Sequence, residues 1–427
     1  TVVDLGSDKP IAGIFPYEAT TETGRTMIIH AGDTLYKVRL NESTYLPIPD
    51  SQQILLTGLR SGGRSQGFYL NGKLYILTGS EYLVYDGKDA KHVGDDTAYC
   101  PLTSYQRKPA GGGEAYEKVN MLCKWRRNRF VGDGSSKTFQ LDVTGIDKEQ
   151  TITAKYHITG DTIEVASFDA EKGTVTLKTA PKAPENAGTS NIEIRFAKTT
   201  EDRKKILGCT IFAIYGMDGS GDRVFFSGNG KYANTEWFSG LTDPTYFPDI
   251  NYSVVGSSDF PIMCYLKAQG ELLIIKKDNR QEGTIWHHAG VVSNDVAAFP
   301  LKEGVPGYGA IARYSAANLN DDPLYLSPRG VYAPTADLSE DEAQMLRDYL
   351  ASGGKIMVIF GETGASELAN LSGILTEYGM EPVNGYIADP SRCYQGNYFY
   401  IFPELSVSGD MAEGISSQMV LLTYAQG

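Results

Sequence analysis

Gly32-Asp33-Thr34-Leu35-Tyr36-Lys37-Val38 reads as a turn feeding a strand, and this short element comes back along the chain. It returns as Gly72-Lys73-Leu74-Tyr75-Ile76-Leu77 after Asn71, as Gly270-Glu271-Leu272-Leu273-Ile274-Ile275, and more weakly as Asp322-Pro323-Leu324-Tyr325-Leu326. The segments just before the first three copies (Thr26 to His30, Gly67 to Leu70, Ile262 to Lys267) have strand composition, so each copy predicts an antiparallel hairpin. A lone hairpin cannot bury its apolar face. Copies at a spacing of roughly 40–50 residues therefore predict propeller-like blades. An ordinary antiparallel β-domain with Gly turns is the plainer reading of the same pattern.

Residues 128–200 interrupt this rhythm. Gly132-Asp133-Gly134, between Phe130 and Phe139, predicts a hairpin turn. Alternating strands are expected at Thr151 to His157, Thr162 to Phe168, Gly173 to Leu177 and Asn191 to Phe196, with no helix signal. The segment reads as a small β-sandwich inserted into a larger domain. Lys124, Arg126, Arg127 and Arg129 flank it on one side, Arg203, Lys204 and Lys205 on the other. An insert's two ends lie close together, so the clusters either merge into one positive patch or remain solvated linker charge.

A change of character follows near Pro334. Residues 335–427 hold 13 Asp/Glu against 3 Lys/Arg, a net of −10 within a chain total of −13. Ser339-Glu340-Asp341-Glu342 fits a capping box, and Met345, Leu346, Tyr349 and Leu350 recur at helical spacing. Gly353-Gly354 predicts the helix stop, Lys355 to Phe360 a buried strand, and Ser366 to Tyr378 a second helix ending at Gly379. Such a unit needs a preceding strand, and the only candidate is Gly330-Val331-Tyr332-Ala333, which the β-domain needs as well. The expected fold class is mainly β. A β-propeller-like domain (1–127 and 201–333) carries the inserted sandwich (128–200), and a partial α/β, Rossmann-like module (334–427) follows.

Composition bounds the function. With 21% charged and 41% hydrophobic residues the chain is a folded, globular one. No apolar run reaches the length of a membrane-spanning helix, and residues 1–20 lack the basic start and apolar core of a signal peptide. The chain starts at Thr1 without a methionine, which leaves a longer precursor open. Cys100, Cys123, Cys209, Cys264 and Cys393 are scattered, odd in number and free of CxxC pairs, the pattern of reduced thiols rather than a zinc site or disulfide framework. Net acidity argues against a nucleic-acid binder held by phosphate neutralisation.

The chemical motifs are weak. Gly63-Arg64-Ser65-Gln66-Gly67 matches the nucleophile-elbow pattern, but a hairpin rather than a helix is expected after Ser65. Gly228-Asn229-Gly230-Lys231-Tyr232-Ala233 loosely matches a dinucleotide fingerprint without the following amphipathic helix, so a turn is expected. Asp218-Gly219-Ser220-Gly221-Asp222 lacks the ligand spacing of a calcium loop. His287 and His288 are adjacent, so in a strand they face opposite sides and cannot share a metal. No catalytic residue, cofactor or metal site is assigned, and the chain is read as not an enzyme.

The stretch Phe225-Phe226-Ser227-Gly228 through Trp237-Phe238-Ser239-Gly240-Leu241-Thr242-Asp243-Pro244-Thr245-Tyr246-Phe247-Pro248 resembles the β-propeller region of bacteriophage tail and neck proteins of the stabilisation, tail-nozzle type. Gly304-Val305-Pro306-Gly307-Tyr308-Gly309-Ala310 and Leu326-Ser327-Pro328-Arg329-Gly330-Val331-Tyr332 extend the likeness over roughly residues 10–332. The insert is similar to small β-domains of phage structural proteins. Residues 334–427 resemble instead the extracytoplasmic domain of gliding-motility-type ABC-transporter auxiliary proteins, a family that normally has membrane helices.

The first resemblance implies a virion structural protein, assembled in the bacterial host cytoplasm into a homo-oligomeric ring. With portal and tail partners it would seal or extend a DNA conduit, without sequence-specific nucleic-acid contact or a membrane span. An extracytoplasmic binding domain of an ABC transporter is the second expectation. A carbohydrate-active propeller enzyme is the third.

Overall fold

The computed structural model describes all residues except 1–3, 6–7, 19–24, 61, 218–219, 269, 294–295, 304–307, 320–321, 335–337, 339, 357, 359–367, 381–386, 402–421 and 424–427. The chain is mainly β and divides into two compact units, Thr1–Ala333 and Pro334–Gly427.

The first unit is a series of antiparallel sheets laid down in chain order. The first sheet is β1 (Ile11–Glu18), β2 (Arg25–Ala31), β3 (Thr34–Arg39) and β4 (Gln53–Thr57). The second is β5 (Gln66–Leu70), β6 (Lys73–Leu77), β7 (Tyr82–Tyr85) and β8 (Ala90–His92). Each is a plain meander in which every strand pairs with the next. The repeated turn-strand element is the reason. Gly32 and Gly72 take φ of 59° and 71°, left-handed values that a glycine adopts without cost, and β3 and β6 fold straight back on β2 and β5.

An interposed two-layer unit follows. Its first layer contains β9 (Leu102–Arg107), β10 (Glu114–Ala115), β11 (Trp125–Phe130), β13 (Thr153–Tyr156), β14 (Thr162–Ile163) and β17 (Ile192–Ala197). The second layer contains β12 (Thr138–Gln140), β15 (Val165–Asp169) and β16 (Thr174–Leu177). Phe130, Phe139, Val175, Ile192, Ile194 and Phe196 fill the space between the layers. The first layer takes in β9 and β10, so this unit reaches back well before residue 128. Gly132-Asp133-Gly134 does not close a hairpin. β11 is already paired on both sides, parallel to β9 and antiparallel to β17, so the chain crosses to the other layer and β12 pairs with β16. Asp133 steers the crossing by accepting the N–H groups of Ser135 (2.9 Å) and Ser136 (2.6 Å).

After the short helix α1 (Arg203–Leu207) the meanders resume. The third sheet is β18 (Ile211–Tyr215), β19 (Arg223–Ser227), β20 (Thr235–Phe238) and β21 (Tyr252–Val254). The fourth joins β22 (Ile262–Ala268), β23 (Glu271–Lys276) and β24 (Ile285–His288) to β27 (Leu301–Glu303), across a side hairpin of β25 (Val291–Ser293) and β26 (Val296–Ala298). The fifth has three strands, β28 (Ala317–Leu319), β29 (Asp322–Ser327) and β30 (Gly330–Tyr332). The contested strand at Gly330 therefore pairs with β29, as Tyr325 opposite Tyr332 and Leu326 opposite Val331.

Consecutive sheets pack face to face. Phe15 and Tyr17 meet Leu74, Ile76 and Tyr85 between the first and second. The second and third share an aromatic stack in which Phe68 lies 5.0 Å from Phe212, and Tyr82 5.1 Å from Phe226. Tyr215, Phe225 and Leu272 join the third to the fourth, and Cys264, Leu266 and Tyr325 the fourth to the fifth. The row also curves: the Arg64 guanidinium, ahead of the second sheet, sits 5.0 Å over the ring of Tyr314, ahead of the fifth. Arg313 donates to the Gly228 carbonyl (3.1 Å) at the end of the third.

In the second unit α2 (Glu340–Ala351) packs with α3 (Ala369–Glu377), and Arg347 Nε donates to Glu377 at 2.8 Å. β31 (Cys393–Tyr394), β32 (Asn397–Ile401) and β33 (Leu422–Thr423) form a small antiparallel sheet. Lys355, Ile356 and Val358 lie outside any strand, and the other residues of the expected buried strand are not among the described ones, nor is Ser339 of the capping box. Along α2, Leu346 and Leu350 are half-buried, whereas Met345 and Tyr349 are exposed.

Candidate functional site

Ser65 stands immediately before β5, so a strand and not a helix follows it. Both glycines of its motif have local reasons. Gly63 sits at φ 85°, and a Cβ on Gly67 would come within 2.7 Å of the Phe15 ring where the first two sheets touch. The serine does have a partner that no spacing announced. Its hydroxyl lies 2.6 Å from Nδ1 of His30 on β2, and both residues are buried. Burial lowers the His30 pKa, against the opposing charges of Glu81 and Asp33. The imidazole is therefore neutral, and the pair lies inside the contact between two sheets. It works as a stitch that joins β2 to the start of β5.

His287 and His288 on β24 face opposite ways, as strand geometry requires. His287 Nδ1 meets Glu271 at 2.5 Å near the surface. His288 is fully buried, with Nε2 on the equally buried Glu236 of β20 and Nδ1 donating to the Pro300 carbonyl at 3.2 Å. Tyr265 completes the cluster by donating to Glu236 at 2.8 Å. Burial pulls the His288 pKa down, but the Glu236 charge and hydrogen bond outweigh it and raise the value above the ordinary one. Third and fourth sheets are thus tied by an enclosed ion pair.

The basic flanks do converge, but on carboxylates. Lys124 and Arg203, from opposite ends of the inserted segment, lie 3.4 and 3.8 Å from Asp95. Arg126 is buried, and that burial lowers its pKa. Lys204 and Lys205 pair with Glu201 and Asp202 of their own turn. Arg127 (3.5 Å), Arg129 (2.9 Å) and Lys155 (3.4 Å) surround the buried Glu193. Desolvation works to raise the Glu193 pKa, and the Arg129 hydrogen bond with the Arg127 and Lys155 charges overcomes it and lowers the value.

The remaining motifs resolve into turns and single thiols. Gly228 turns at φ 81°, and the Asn229 amide caps α1 by donating to the Lys205 carbonyl at 2.8 Å. Asp218 and Gly219 lie outside the described residues, and Asp222 pairs with Arg223 at 2.7 Å. All five cysteines are free. A hydrogen bond with the Cys123 thiol, aided by Arg127 and Arg195 against burial, brings the Cys100 pKa down to about 7. No group of three or more potential metal ligands exists among the described residues. No helix of the described residues is long and apolar enough to cross a membrane.

Two cavities among the described residues are of ligand size. One of about 590 Å³ lies beside Tyr17, Tyr45 and Tyr69, with Glu18 and Arg25 at its edge. The other, about 420 Å³, opens on the two-layer unit beside Tyr105, Tyr116, Arg129 and His157. Sequence patterning pointed to neither, because each draws its lining from segments far apart in the chain.

No protein-family model and no curated protein matches this chain. Among solved structures, the crystal structure of BBS1N in complex with ARL6DN aligns over 77% of this chain and 92% of that one, at 8% identity and a TM-score of 0.21. A likeness at that level carries no argument about function or fold.

Proposed function

We propose that this chain is a virion structural protein of a phage tail or neck. Residues 1–333 would form a β-propeller-like domain that assembles with copies of itself, or with portal and tail proteins, to form or seal a DNA conduit. The resemblance of the sequence supplies the phage setting. The propeller reading is supported by meanders that follow one another in chain order, and by the curvature that brings Arg64 over Tyr314.

One observation carries the assembly. Natural sheet edges are normally guarded by Lys, Pro or bulges, since an open edge recruits other strands. Here edge strands such as Ala90–His92 and Leu301–Glu303 carry charged side chains, but three others, Gln53–Thr57, Tyr252–Val254 and Gly330–Tyr332, carry none. Their apolar groups are also out in solvent: Ile54 at 64%, Tyr252 at 53%, Val254 at 54% and Val331 at 68% exposure. Edges of that kind suit burial against a neighbouring subunit.

Sedimentation velocity tests the reading on the full chain. The wild type is expected to sediment as a multiple of 46.6 kDa. Ile54→Lys with Val254→Lys should shift it to monomer without changing the circular dichroism spectrum. Equal, monomeric behaviour of both proteins would sink the proposal.

A further inference from the structure

The 420 Å³ cavity on the two-layer unit is lined by aromatic, amide, imidazole, hydroxyl and guanidinium side chains. Three parts of its wall are tied together by one residue. The buried Ser190 accepts the Gln106 N–H on its hydroxyl at 2.9 Å and the His157 Nε2–H on its carbonyl at 2.5 Å. A carbonyl can only accept, so Nε2 carries the proton and a neutral ring keeps Nδ1 as an acceptor. Gln106 is held at φ 54°, a left-handed conformation that is rare for a residue with a side chain and collects at ligand sites.

Part of the lining is aromatic. Tyr105 and Tyr116 meet edge to face with centroids 5.2 Å apart, and the Tyr105 hydroxyl donates to Glu114 at 2.6 Å. Tyr116 is 60% exposed, an aromatic plate left open beside the cavity. Arg129 supplies the charge. It shares Glu193 with Arg127 and Lys155, so three cations surround one carboxylate. Glu114 and Glu117 offset the other cations, Glu117 by accepting the N–H of the lining residue Leu102, and Arg129 is the one lining residue with a full charge.

An open aromatic plate takes the apolar face of a sugar ring, while fixed amide, imidazole and hydroxyl groups take its hydroxyls. A single guanidinium in the lining matches one carboxylate and falls short of a polyphosphate or a nucleic-acid backbone, each of which needs several cations. The volume lies at the small end of ligand pockets, enough for one or two rings. We propose that this cavity binds an acidic sugar unit, a hexuronic acid within an oligosaccharide. The site stands independently of the assembly reading.

Titration calorimetry on the full chain tests this with a galacturonic acid trisaccharide, a neutral galactose trisaccharide and adenosine monophosphate as probes. The uronic trisaccharide should bind at least tenfold more tightly than the neutral one, and the nucleotide more weakly than the uronic trisaccharide. Tyr116→Ala, at an exposed position, should weaken the uronic ligand at least tenfold with an unchanged melting temperature. Arg129→Gln should erase the preference for the acid. Equal affinity for acidic and neutral sugars, tighter binding of the nucleotide, no saturable binding at millimolar probe, or an unaffected Tyr116→Ala variant would each overturn the proposal.

Discussion

Glu236, His288 and Tyr265 form a buried polar cluster in the first unit, and the pH behaviour follows from it. The folded His288 pKa is raised, so the pair's contribution is complete below the unfolded value of 6.5 and fades as pH rises through the folded value. Thermal melts of the wild type should therefore fall in midpoint above pH 6.5. In Glu236→Gln that part of the slope should vanish, and the protein should lose about 3–5 kcal/mol at pH 6, because one partner of a buried pair is left uncompensated. An unchanged pH slope in the variant would show that the pair is not what titrates.

Ser65→Ala deletes the partner of a buried imidazole nitrogen, a loss of about 1–3 kcal/mol of stability by chemical denaturation. No esterase or glycosidase turnover is expected in the wild type that this variant or His288→Ala removes; finding one would contradict the stitch reading. These residues were legible only in part. The strand patterns around His30 and Ser65 could be read, but not which strand faces which, and none was read around Glu236. That pairing is decided by the packing of separate sheets.

At the scale of elements, the first three hairpins were legible because each has a glycine turn followed at once by a short apolar strand. The Gly132 segment misled for the opposite reason. Its turn chemistry is real, but β11 has no vacant edge, a fact contributed by β9 and β17 from 20 and more residues away. The same sharing makes the inserted segment dependent on its host. Asn120 donates to the carbonyls of Tyr99 and Thr245 (both 2.8 Å), and Leu122 is buried in the core shared by the second and third sheets. Replacing residues 128–200 by a Gly/Ser linker removes half of β11 and with it most of the pairing on one side of β9. The expected result is a broadened, lowered thermal transition for the whole first unit. A sharp transition at the wild-type midpoint would show that the inserted segment folds apart from its host.

Over the whole molecule, the boundary near Pro334 was readable as a jump in acidity, and the two compact units meet at Ala333 and Pro334. Which unit keeps the strand at Gly330 was not readable, since its three residues satisfy either pattern. Pairing with β29 decides it. The central proposal is that copies of this chain join into a ring, and the three uncharged edge strands are what favours it. Negative-stain imaging of the purified full chain at micromolar concentration tests it most directly. The account predicts closed particles with rotational symmetry and a central opening; a field of single particles of about 46.6 kDa without symmetry would contradict it.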